Sequence, residues 1–442
     1  MDTICTTQLM IYAEESSPRL SYIAEVMIPG TLVTVSADEF DEYDGIKINY
    51  STRKTNPQIF QVIPAGLLTE TGTRQQAVNC AEWKGIKIFF QTGGDLPFDI
   101  FSAAFYLLSR YEEYLPHEPD EYGRYDHSNS LAYKEGFLQT PLVNFWIQQL
   151  EKELNHYYPD KAFRVQHSAF RFTPTYDIDI AYAYRHQPVW KNVLGFYRDL
   201  LRGKFEQVME RGNVYSGKQQ DPFDVYDWLD MLHDKYQVPP VYFLLTIIKR
   251  GPYDKNLYAN TKGLQKLYQR ISVKNKTGVH PSWQSGTDEW LLEKEIAMLQ
   301  KIIQQPVYIS RNHYLRFTIP STYQKLLAAG IREDYSMAYG NVNGFRASYA
   351  LPFYWYDLEA EKQSDLMIHP FCFMEATAAF NQRLTAEQAG EELQYYYNTV
   401  KSVNGELITL FHNHFLTEQP EWLLWRKMYE QFWERNFGSR DY

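Results

Sequence analysis

The sequence predicts an α/β protein in which a smaller α/β domain, residues 1–162, precedes a seven-stranded (β/α) barrel, residues 163–442. Three observations support this prediction. The pattern changes near Tyr158–Ala162, strand and helix candidates alternate from Phe170 onward, and Asp or His residues stand at several strand ends. A chain of 442 residues is also long enough for two or three domains.

The first 162 residues contain short strand candidates and two helices. The strand candidates are LMIYA, a segment around Leu20–Ile28, GIKINYS and GIKIFFQ. The first helix follows from Pro97, in LPFDIFSAAFYLLSRYEEYL; Asp99 begins it, and apolar residues follow at helical spacing. A polar loop, PHEPDEYGRYDHS, leads to the second helix, PLVNFWIQQLEKELNHYY. This order predicts a separate α/β domain, whose role the sequence does not indicate.

Seven strand candidates follow from Phe170 onward. They are FRFTPTYDID, PPVYFLLTI, TGVHPS, PVYISRNHYL, IREDYSMAY, DLMIHPF and ELITLFHN. The helix candidates between and after them are DPFDVYDWLDMLHDKY, TKGLQKLYQRI, TDEWLLEKEIAMLQKIIQ, PSTYQKLLAAG, TAEQAGEELQYYYNTVKSV and PEWLLWRKMYEQFWERN. Strands joined by helices pair in parallel with right-handed crossovers, so this series predicts a barrel. An open doubly wound sheet is the alternative, and a nucleotide site is disfavoured because no glycine-rich loop follows the first strand.

Asp and His residues recur at the ends of these strands. They are Asp177, Asp179, His280, His313, His369 and His412, with His414 close behind and Arg346 after the fifth strand. The strand ends of a parallel barrel share one rim, where active sites are built. We interpret His369 as structural because a proline follows it, and we leave the role of His414 open. The pattern predicts one site that combines carboxylates and histidines.

Asp177 and Asp179 are separated by a single residue. In an extended strand their side chains point the same way, so both carboxylates would face one site. Two carboxylates this close repel each other unless a cation lies between them or one takes a proton. A capping role is the alternative, which the apolar strand leading directly into the pair disfavours.

Composition and charge narrow the class of function. The 36 Tyr, 26 Phe and 10 Trp suit stacking on sugar rings, although large aromatic cores explain them equally well. A net charge of −10 argues against nucleic acid as a partner. Cys5, Cys80 and Cys372 are far apart and odd in number, which favours a reducing compartment over a disulfide framework. We see no signal peptide and no apolar run of the roughly 20 residues that a membrane helix needs, and we therefore expect a cytoplasmic protein.

Over about residues 165–442 the sequence resembles the polysaccharide deacetylases, carbohydrate esterases of family 4 type with a NodB homology domain. Their first motif places two aspartates at the end of the first strand, and TYDID looks like the variant with one residue between them. This match implies that Asp177 is the catalytic base and Asp179 a metal ligand. Their second motif has two histidines four residues apart. The segment GVHPSWQ supplies only His280, because Gln284 stands at the second histidine position.

The later motifs of the family also have counterparts. We expect His313, in SRNHY, to replace the missing ligand from the next strand. GFRAS resembles the arginine motif without its usual proline, which implies that Arg346 holds Asp177 in place. TLFH is similar to the late Leu-x-His motif, which implies that His412 is the general acid. The N-terminal part, with LPFDIFSAAFYLLSRYEEYLP, looks like an extra domain of unassigned role that precedes such barrels in a Bacteroidetes-type subgroup.

The resemblance implies a metal-dependent hydrolase that removes N-acetyl or O-acetyl groups from a carbohydrate. Asp179, His280 and His313 would hold a divalent metal, with zinc as the first choice for two nitrogens and one oxygen. Asp177 would take a proton from water and His412 would protonate the leaving group. A lipid-linked or nucleotide-linked precursor of a surface glycan would explain how a cytoplasmic enzyme meets such a substrate.

Two alternatives stay open on the sequence. A catalytically degenerate barrel that binds carbohydrate or acts as a scaffold is favoured by Gln284 and by the missing proline after Arg346. A glycoside hydrolase would need two carboxylates about 5–9 Å apart, which Asp177 and Asp179 on one strand do not readily provide. Metal content separates a metal-dependent hydrolase from both alternatives.

Overall fold

A computed structural model describes residues 8–54, 56–166 and 169–438. Cys5 and the start of the chain, where we looked for a signal peptide, lie outside the described residues. The strands are β1 (Leu9–Ala13), β2 (Leu32–Thr34), β3 (Ile46–Tyr50), β4 (Phe60–Val62), β5 (Ala81–Trp83), β6 (Ile86–Ile88), β7 (Arg171–Ile178), β8 (Val241–Leu245), β9 (Lys276–His280), β10 (Ile309–Ser310), β11 (Glu333–Asp334), β12 (Phe353–Asp357), β13 (Lys362–Ile368), β14 (Phe373–Met374) and β15 (Glu406–His412). The mixture of helices and strands confirms the predicted α/β class.

The described part of the chain contains thirteen α-helices beside these strands. They are α1 (Pro18–Met27), α2 (Ala37–Glu42), α3 (Ile100–Leu108), α4 (Leu131–Lys134), α5 (Leu142–Tyr157), α6 (Val189–Leu201), α7 (Phe205–Tyr215), α8 (Tyr226–Tyr236), α9 (Lys262–Lys274), α10 (Glu289–Ile303), α11 (Ser321–Ala328), α12 (Ala386–Ser402) and α13 (Leu423–Phe437). Within the described ranges, none of these helices has the length and apolar character that crossing a membrane requires. The sequence did not predict α6 and α7.

The N-terminal part contains a four-stranded parallel sheet in the order β2-β1-β3-β4. The predicted strands LMIYA and GIKINYS form β1 and β3, and GIKIFFQ supplies β6. The segment around Leu20–Ile28 was wrongly predicted as a strand, because it forms most of α1. Ser17 caps this helix by accepting a hydrogen bond from the backbone N–H of Leu20, and Pro18 fits its first turn.

The predicted helix after Asp99 is shorter than its apolar pattern suggested. Asp99 caps it as expected, with its carboxylate accepting from the backbone N–H of Ser102 at 3.0 Å. The helix ends at Leu108 because Arg110 adopts a left-handed backbone conformation with a φ of 55°. After this turn, Nε of Arg110 donates to Oε1 of Glu113 at 2.8 Å.

The main sheet contains all seven of the strands predicted after Phe170. They are β7, β8, β9, β10, β11, β13 and β15, and they lie side by side in the order β13-β11-β10-β9-β8-β7-β15 with parallel pairing. Two further strands extend this sheet to nine, with β12 antiparallel to β13 at one edge and β14 parallel to β15 at the other. In the described part of the chain, the hydrogen-bonded sheet is therefore open at both edges. The strand pairing does not form the closed seven-stranded barrel that the sequence predicts.

The sheet is nevertheless strongly curled. β13 and β14 lie near its opposite edges, yet only residues 369–372 separate them in sequence. A link this short spans less than roughly 20 Å. The two edges must therefore approach each other, which gathers the C-terminal strand ends around one cavity.

The two parts of the chain share one hydrophobic core. Among the described residues no strand of the N-terminal sheet pairs with the main sheet. Side chains from both parts nevertheless belong to a single buried cluster, as where the rings of Phe105 and Tyr356 lie 5.1 Å apart. Arg19 also donates to Glu361, and the hydroxyl of Tyr22 donates to the carbonyl of Tyr354. A domain boundary at residues 162 and 163 stays a prediction.

Candidate active site

Five of the residues selected from the sequence line one cavity of about 540 Å³: Asp177, Asp179, His280, His313 and His412. Parallel pairing explains their convergence. Asp177 is the register partner of His412 on β15, and His280 ends β9 beside β8. His313 follows β10, which pairs with β9. All five therefore come from the C-terminal ends of adjacent strands, as predicted from the shared rim.

Asp179 lies at the centre of the three histidines. Its Oδ1 is 3.1 Å from Nε2 of His280, and its Oδ2 is 3.2 Å from Nε2 of His313. Nε2 of His412 lies 3.4 Å from the same Oδ2. Asp177 is close by, with its Oδ2 3.5 Å from Nε2 of His280. One carboxylate thus faces three imidazole nitrogens.

The outer nitrogens of two histidines are bound to acceptors, which fixes what their inner nitrogens can do. Nδ1 of His280 donates to the backbone carbonyl of Arg311 at 2.5 Å. Nδ1 of His313 donates to Oδ1 of Asp254 at 2.9 Å. A neutral imidazole that donates from Nδ1 carries its lone pair on Nε2. Both rings therefore direct a potential ligand atom at Asp179.

These residues fit a divalent metal ion. Oδ1 of Asp179 and Nε2 of His280 are buried and have no hydrogen-bond partner among the described residues. One ligand atom from each of Asp179, His280 and His313 can be chosen so that all lie within 4.8 Å of one another. Zinc binds nitrogen and oxygen ligands at about 2.0–2.2 Å, which suits donor atoms separated by roughly 3 Å. Asp254 accepts a hydrogen bond from Nδ1 of His313. Metal-ligating histidines commonly donate their other ring N–H to a carboxylate in this way.

The charges of the cluster are strongly coupled. Burial would raise the pKa of the Asp179 carboxyl, but His313 and His412 outweigh it and hold the pKa well below its usual range. Burial lowers the pKa of His313, but the carboxylates of Asp179 and Asp254 raise it to about 10. The cluster therefore concentrates negative charge where a cation or protonated histidines must balance it.

Arg311 holds Asp177, a role that the sequence analysis gave to Arg346. Nη1 of Arg311 donates to Oδ1 of Asp177 at 3.0 Å and to Oγ1 of Thr175 at 2.6 Å. The guanidinium is fully buried and lies 4.3 Å from the ring centroid of Phe243. The sequence signal was available, because Arg311 stands just before His313 at the end of the fourth predicted strand.

Arg346 binds a different carboxylate. Its Nε and Nη2 donate to the two oxygens of Glu113 at 2.8 and 2.5 Å, and its Nη1 donates to the carbonyl of Ala338. Glu113 also accepts from Arg110. Burial raises the pKa of Glu113, but the two arginines outweigh it and lower the pKa to about 2. The expectation for Arg346 was wrong because the N-terminal part supplies a bidentate partner that the motif alone does not reveal.

His412 is oriented by Glu375, which directly follows β14. Nδ1 of His412 donates to Oε1 of Glu375 at 2.8 Å, and the same oxygen accepts from the backbone N–H of His412. Burial lowers the pKa of His412, but Glu375 and Asp179 raise it to about 9. The two carboxylates thus favour the protonated ring, the form that a general acid requires.

The other residues singled out from the sequence lie around this centre. His414 lines the cavity, and burial with His412 nearby lowers its pKa to about 3, so it is neutral. His369 stacks on Tyr335 with ring centroids 4.1 Å apart and faces Glu333. Gln284 is half-buried in the loop after β9 and is not among the described residues that line the cavity.

Aromatic residues from both parts of the chain form the cavity walls. Tyr122 comes from the N-terminal polar loop, and its ring lies 5.5 Å from Tyr253 and 5.4 Å from Tyr314. Arg124 of the same loop donates to the carbonyl of Tyr314 at 2.8 Å and to Oδ1 of Asn341 at 2.6 Å. The N-terminal part therefore builds one side of the cavity, a contribution that the sequence analysis missed.

The comparisons with known families, curated proteins and solved structures give different results. Residues 9–159 match a family of unknown function, DUF7033. No curated protein matches the sequence. Among solved structures, a Mycobacterium smegmatis protein assigned as a polysaccharide deacetylase is similar at 13% identity, with a TM-score of 0.40 and coverage of 62% of this chain and 86% of that one.

Two further structures are similar at the same level. The polysaccharide deacetylase Bc1974 from Bacillus cereus is 10% identical, with a TM-score of 0.30 and coverage of 60% of this chain and 87% of that one. The 4-alpha-glucanotransferase from Thermococcus litoralis is 11% identical, with a TM-score of 0.35 and coverage of 61% and 37%. Identities and TM-scores this low leave the function to be argued from the site itself.

Proposed function

We propose that the protein is a metal-dependent hydrolase of the polysaccharide deacetylase type, which removes N-acetyl or O-acetyl groups from a carbohydrate. The observation that carries this proposal is the cluster of Asp179, His280 and His313, with Asp177 and His412 at its edge in one cavity. Asp179, His280 and His313 would hold the ion, for which zinc is the first choice. When bound, such an ion supplies the Lewis acidity that activates water and polarises the acyl carbonyl.

Asp177 is the base in this proposal. Its Oδ1 is occupied by the guanidinium of Arg311, which leaves Oδ2 free to accept a proton from the attacking water. The guanidinium of Arg311 and this carboxylate form a buried ion pair at 3.0 Å. Arg311 also donates to Thr175, so the guanidinium and the carboxylate are held in one orientation.

His412 is the acid. Glu375 accepts from Nδ1 and thereby orients the ring, so that Nε2 points into the cavity beside Asp179. A proton on Nε2 can then pass to the nitrogen or oxygen of the leaving sugar as its bond to the acyl carbon breaks. Acid and base steps of this kind each contribute about 10²–10⁴-fold to a rate.

The walls of the cavity favour a sugar as the leaving group. Tyr122, Tyr253 and Tyr314 form a continuous aromatic surface at one side of the cavity. Aromatic faces stack on the apolar faces of sugar rings, while the polar strand ends can hydrogen-bond to hydroxyl groups. A precursor of a surface glycan, carried on a lipid or a nucleotide, is the substrate class that we propose.

The test measures metal and product on the same preparations. Purified protein is analysed for zinc, and acetate release is assayed on N-acetylated and O-acetylated oligosaccharides before and after chelator treatment and zinc addition. We expect about one ion per chain, loss of activity with the chelator, and loss of both ion and activity in Asp179→Asn. If the wild-type protein takes up no divalent metal under any loading condition, this proposal is rejected in favour of the catalytically degenerate carbohydrate-binding barrel.

A further inference from the structure

The helices α6 and α7 form a hairpin, residues 188–218, whose apolar side chains face outward. The chain enters it shortly after Asp179, from the rim of the main sheet. Ten apolar residues are between 40% and 87% exposed: Val189, Trp190, Val193, Leu194, Tyr197, Leu200, Leu201, Phe205, Met209 and Tyr215. Those on α6 recur at helical spacing and form one continuous stripe. An exposed apolar surface of this extent marks an interaction site.

The inner side of the hairpin is polar. Asn192, Asp199 and Arg211 are its buried polar residues. Nη2 of Arg211 donates to Asp199 at 2.7 Å and Nη1 donates to Asn192 at 3.2 Å. Asn192 in turn donates to the carbonyl of Tyr184 at 3.0 Å. Polar contacts hold the hairpin together and attach it to the body of the protein, so its apolar face stays available. This distribution is the reverse of that in an ordinary surface helix.

The hairpin is also positively charged in an acidic protein. Residues 188–218 contain six Lys or Arg and three Asp or Glu, a net charge of +3, whereas the whole chain carries −10. Arg198, Arg202 and Lys204 are exposed beside the apolar stripe. Trp, Tyr, Leu and Phe on one face with Lys and Arg at its margin is the composition of helices that lie in the headgroup region of a membrane.

We propose that this hairpin docks the protein on the surface of a bilayer that contains anionic lipid. The apolar stripe of α6 would enter the boundary between headgroups and acyl chains, while Arg198, Arg202 and Lys204 contact lipid phosphates. A second copy of the chain is a poorer occupant, because a symmetric contact would bring two patches of the same positive charge together. The inference does not depend on the reaction that the cavity performs.

Vesicle co-sedimentation tests the proposal with the full chain. Purified protein is mixed with vesicles of phosphatidylcholine alone, or of equal parts phosphatidylcholine and phosphatidylglycerol. We expect binding to the anionic vesicles that weakens as salt is added. The double variant Trp190→Ser/Leu194→Ser should bind at least about tenfold more weakly, because two exposed apolar side chains no longer enter the bilayer. Arg202→Glu/Lys204→Glu should lose the preference for phosphatidylglycerol.

Trp290→Ser is the matched control. Trp290 on α10 is 61% exposed, as is Trp190, and should be replaceable without effect on vesicle binding. Thermal unfolding of each variant checks that the fold is retained, which exposed positions favour. The proposal is overturned if the wild type stays in the supernatant with both kinds of vesicle, or if the Trp190/Leu194 variant binds as well as the wild type. It is equally overturned if the wild type forms lipid-independent dimers that this variant abolishes while vesicle binding persists.

Discussion

Each histidine of the central cluster has its outer nitrogen bound to an acceptor from another element. For His280 the acceptor is a backbone carbonyl, for His313 it is Asp254, and for His412 it is Glu375. These contacts decide which ring nitrogen faces the cavity. The three rings therefore arrive at the site already oriented, and a bound ion or substrate need not select their tautomers.

Metal content should separate the ligands from the proposed acid. We expect His313→Ala to lose zinc as completely as His280→Ala, because each removes one of three protein ligands. Asp254→Asn should weaken zinc binding by about 10–100-fold, since it removes the support of His313. His412→Ala should keep the ion and lower kcat by about 10²–10⁴-fold. Zinc analysis and single-turnover acetate release measure these effects, with His369→Ala as a strand-end histidine that should change neither.

The two buried arginines should respond differently to replacement by lysine. Arg311→Lys keeps a positive charge but loses the planar fork that holds Asp177 and Thr175, and we expect kcat to fall at least about tenfold with zinc content unchanged. Arg346→Lys should lower the thermal unfolding temperature and leave kcat of the folded enzyme near that of the wild type. The pair is measured by kinetics and melting curves. A loss of kcat in Arg346→Lys equal to that in Arg311→Lys would restore the role first expected of Arg346.

The residues at the site were predictable to different degrees. Asp177 and His412 follow buried apolar strands, so their position at a rim can be read from the sequence. Asp254 and Glu375 act through contacts between separate loops, whose paths no local pattern gives. The sequence pattern therefore indicated the reactive residues but not the carboxylates that orient them.

The segment from Tyr111 to Ser130 connects the N-terminal part to the cavity. Two of its contacts with the rest of the chain are those of Glu113 with Arg346 and of Arg124 with the carbonyl of Tyr314. Both contacts are bonds between a charged group and a buried or half-buried partner. They hold Tyr122, which lies on this segment, against the aromatic wall.

Replacing Glu113 should destabilise the protein and change its response to acid. Glu113→Gln leaves two buried guanidinium groups without their shared carboxylate, at a cost of about 3–5 kcal/mol. The pKa of Glu113 is lowered from 4.5 to about 2, so its stabilising effect is present above pH 4.5 and is lost as the pH falls toward 2. Denaturant unfolding at several pH values should show a smaller loss of stability across this interval in the variant. An unchanged slope would mean that other carboxylates dominate acid unfolding.

Tyr122 should affect substrate binding more than chemistry. We expect Tyr122→Ala to raise KM for an acetylated oligosaccharide by roughly three- to tenfold, the value of one aromatic contact, with little change in kcat. Tyr308→Ala is the control, because Tyr308 is exposed and does not line the cavity. An equal rise in KM for both variants would assign the effect to general destabilisation.

At the level of elements, burial explains which predictions succeeded. The strands β8 and β15 were found because they are largely apolar and are buried along their whole length. The hairpin of α6 and α7 was missed because its apolar side chains are exposed. They therefore do not follow the pattern of a helix that packs its apolar face on the sheet. β14 was missed because it follows β13 after only four residues with no helix between them, so the alternation of strands and helices did not mark it.

The whole molecule joins two sheets through one core. The backbone N–H of Ala350 donates to Asn144 at 2.9 Å, and Arg19 is buried against Glu361. These contacts add to the aromatic packing between the two parts. The surfaces that the two parts turn toward each other are therefore not the polar surfaces of independent domains.

Removal of the N-terminal part should unfold the remainder. We expect residues 163–442 alone to be insoluble or to lack a cooperative transition, because the cut leaves Arg346 unpaired and exposes part of the shared core. The full chain should unfold in one transition by circular dichroism and fluorescence. A soluble 163–442 fragment with the unfolding temperature of the full chain would show that the predicted domain boundary is also a boundary of stability.

The part of the cavity wall that Tyr122 and Arg124 supply has a consequence for how the protein can diversify. The proposed ion ligands and proton donors belong to one stretch of sequence, whereas this part of the wall belongs to another that precedes it. Mutations in the earlier stretch can reshape what the cavity admits while the reactive groups stay intact. Selection can therefore tune the preferred substrate and the chemical step through separate sets of codons.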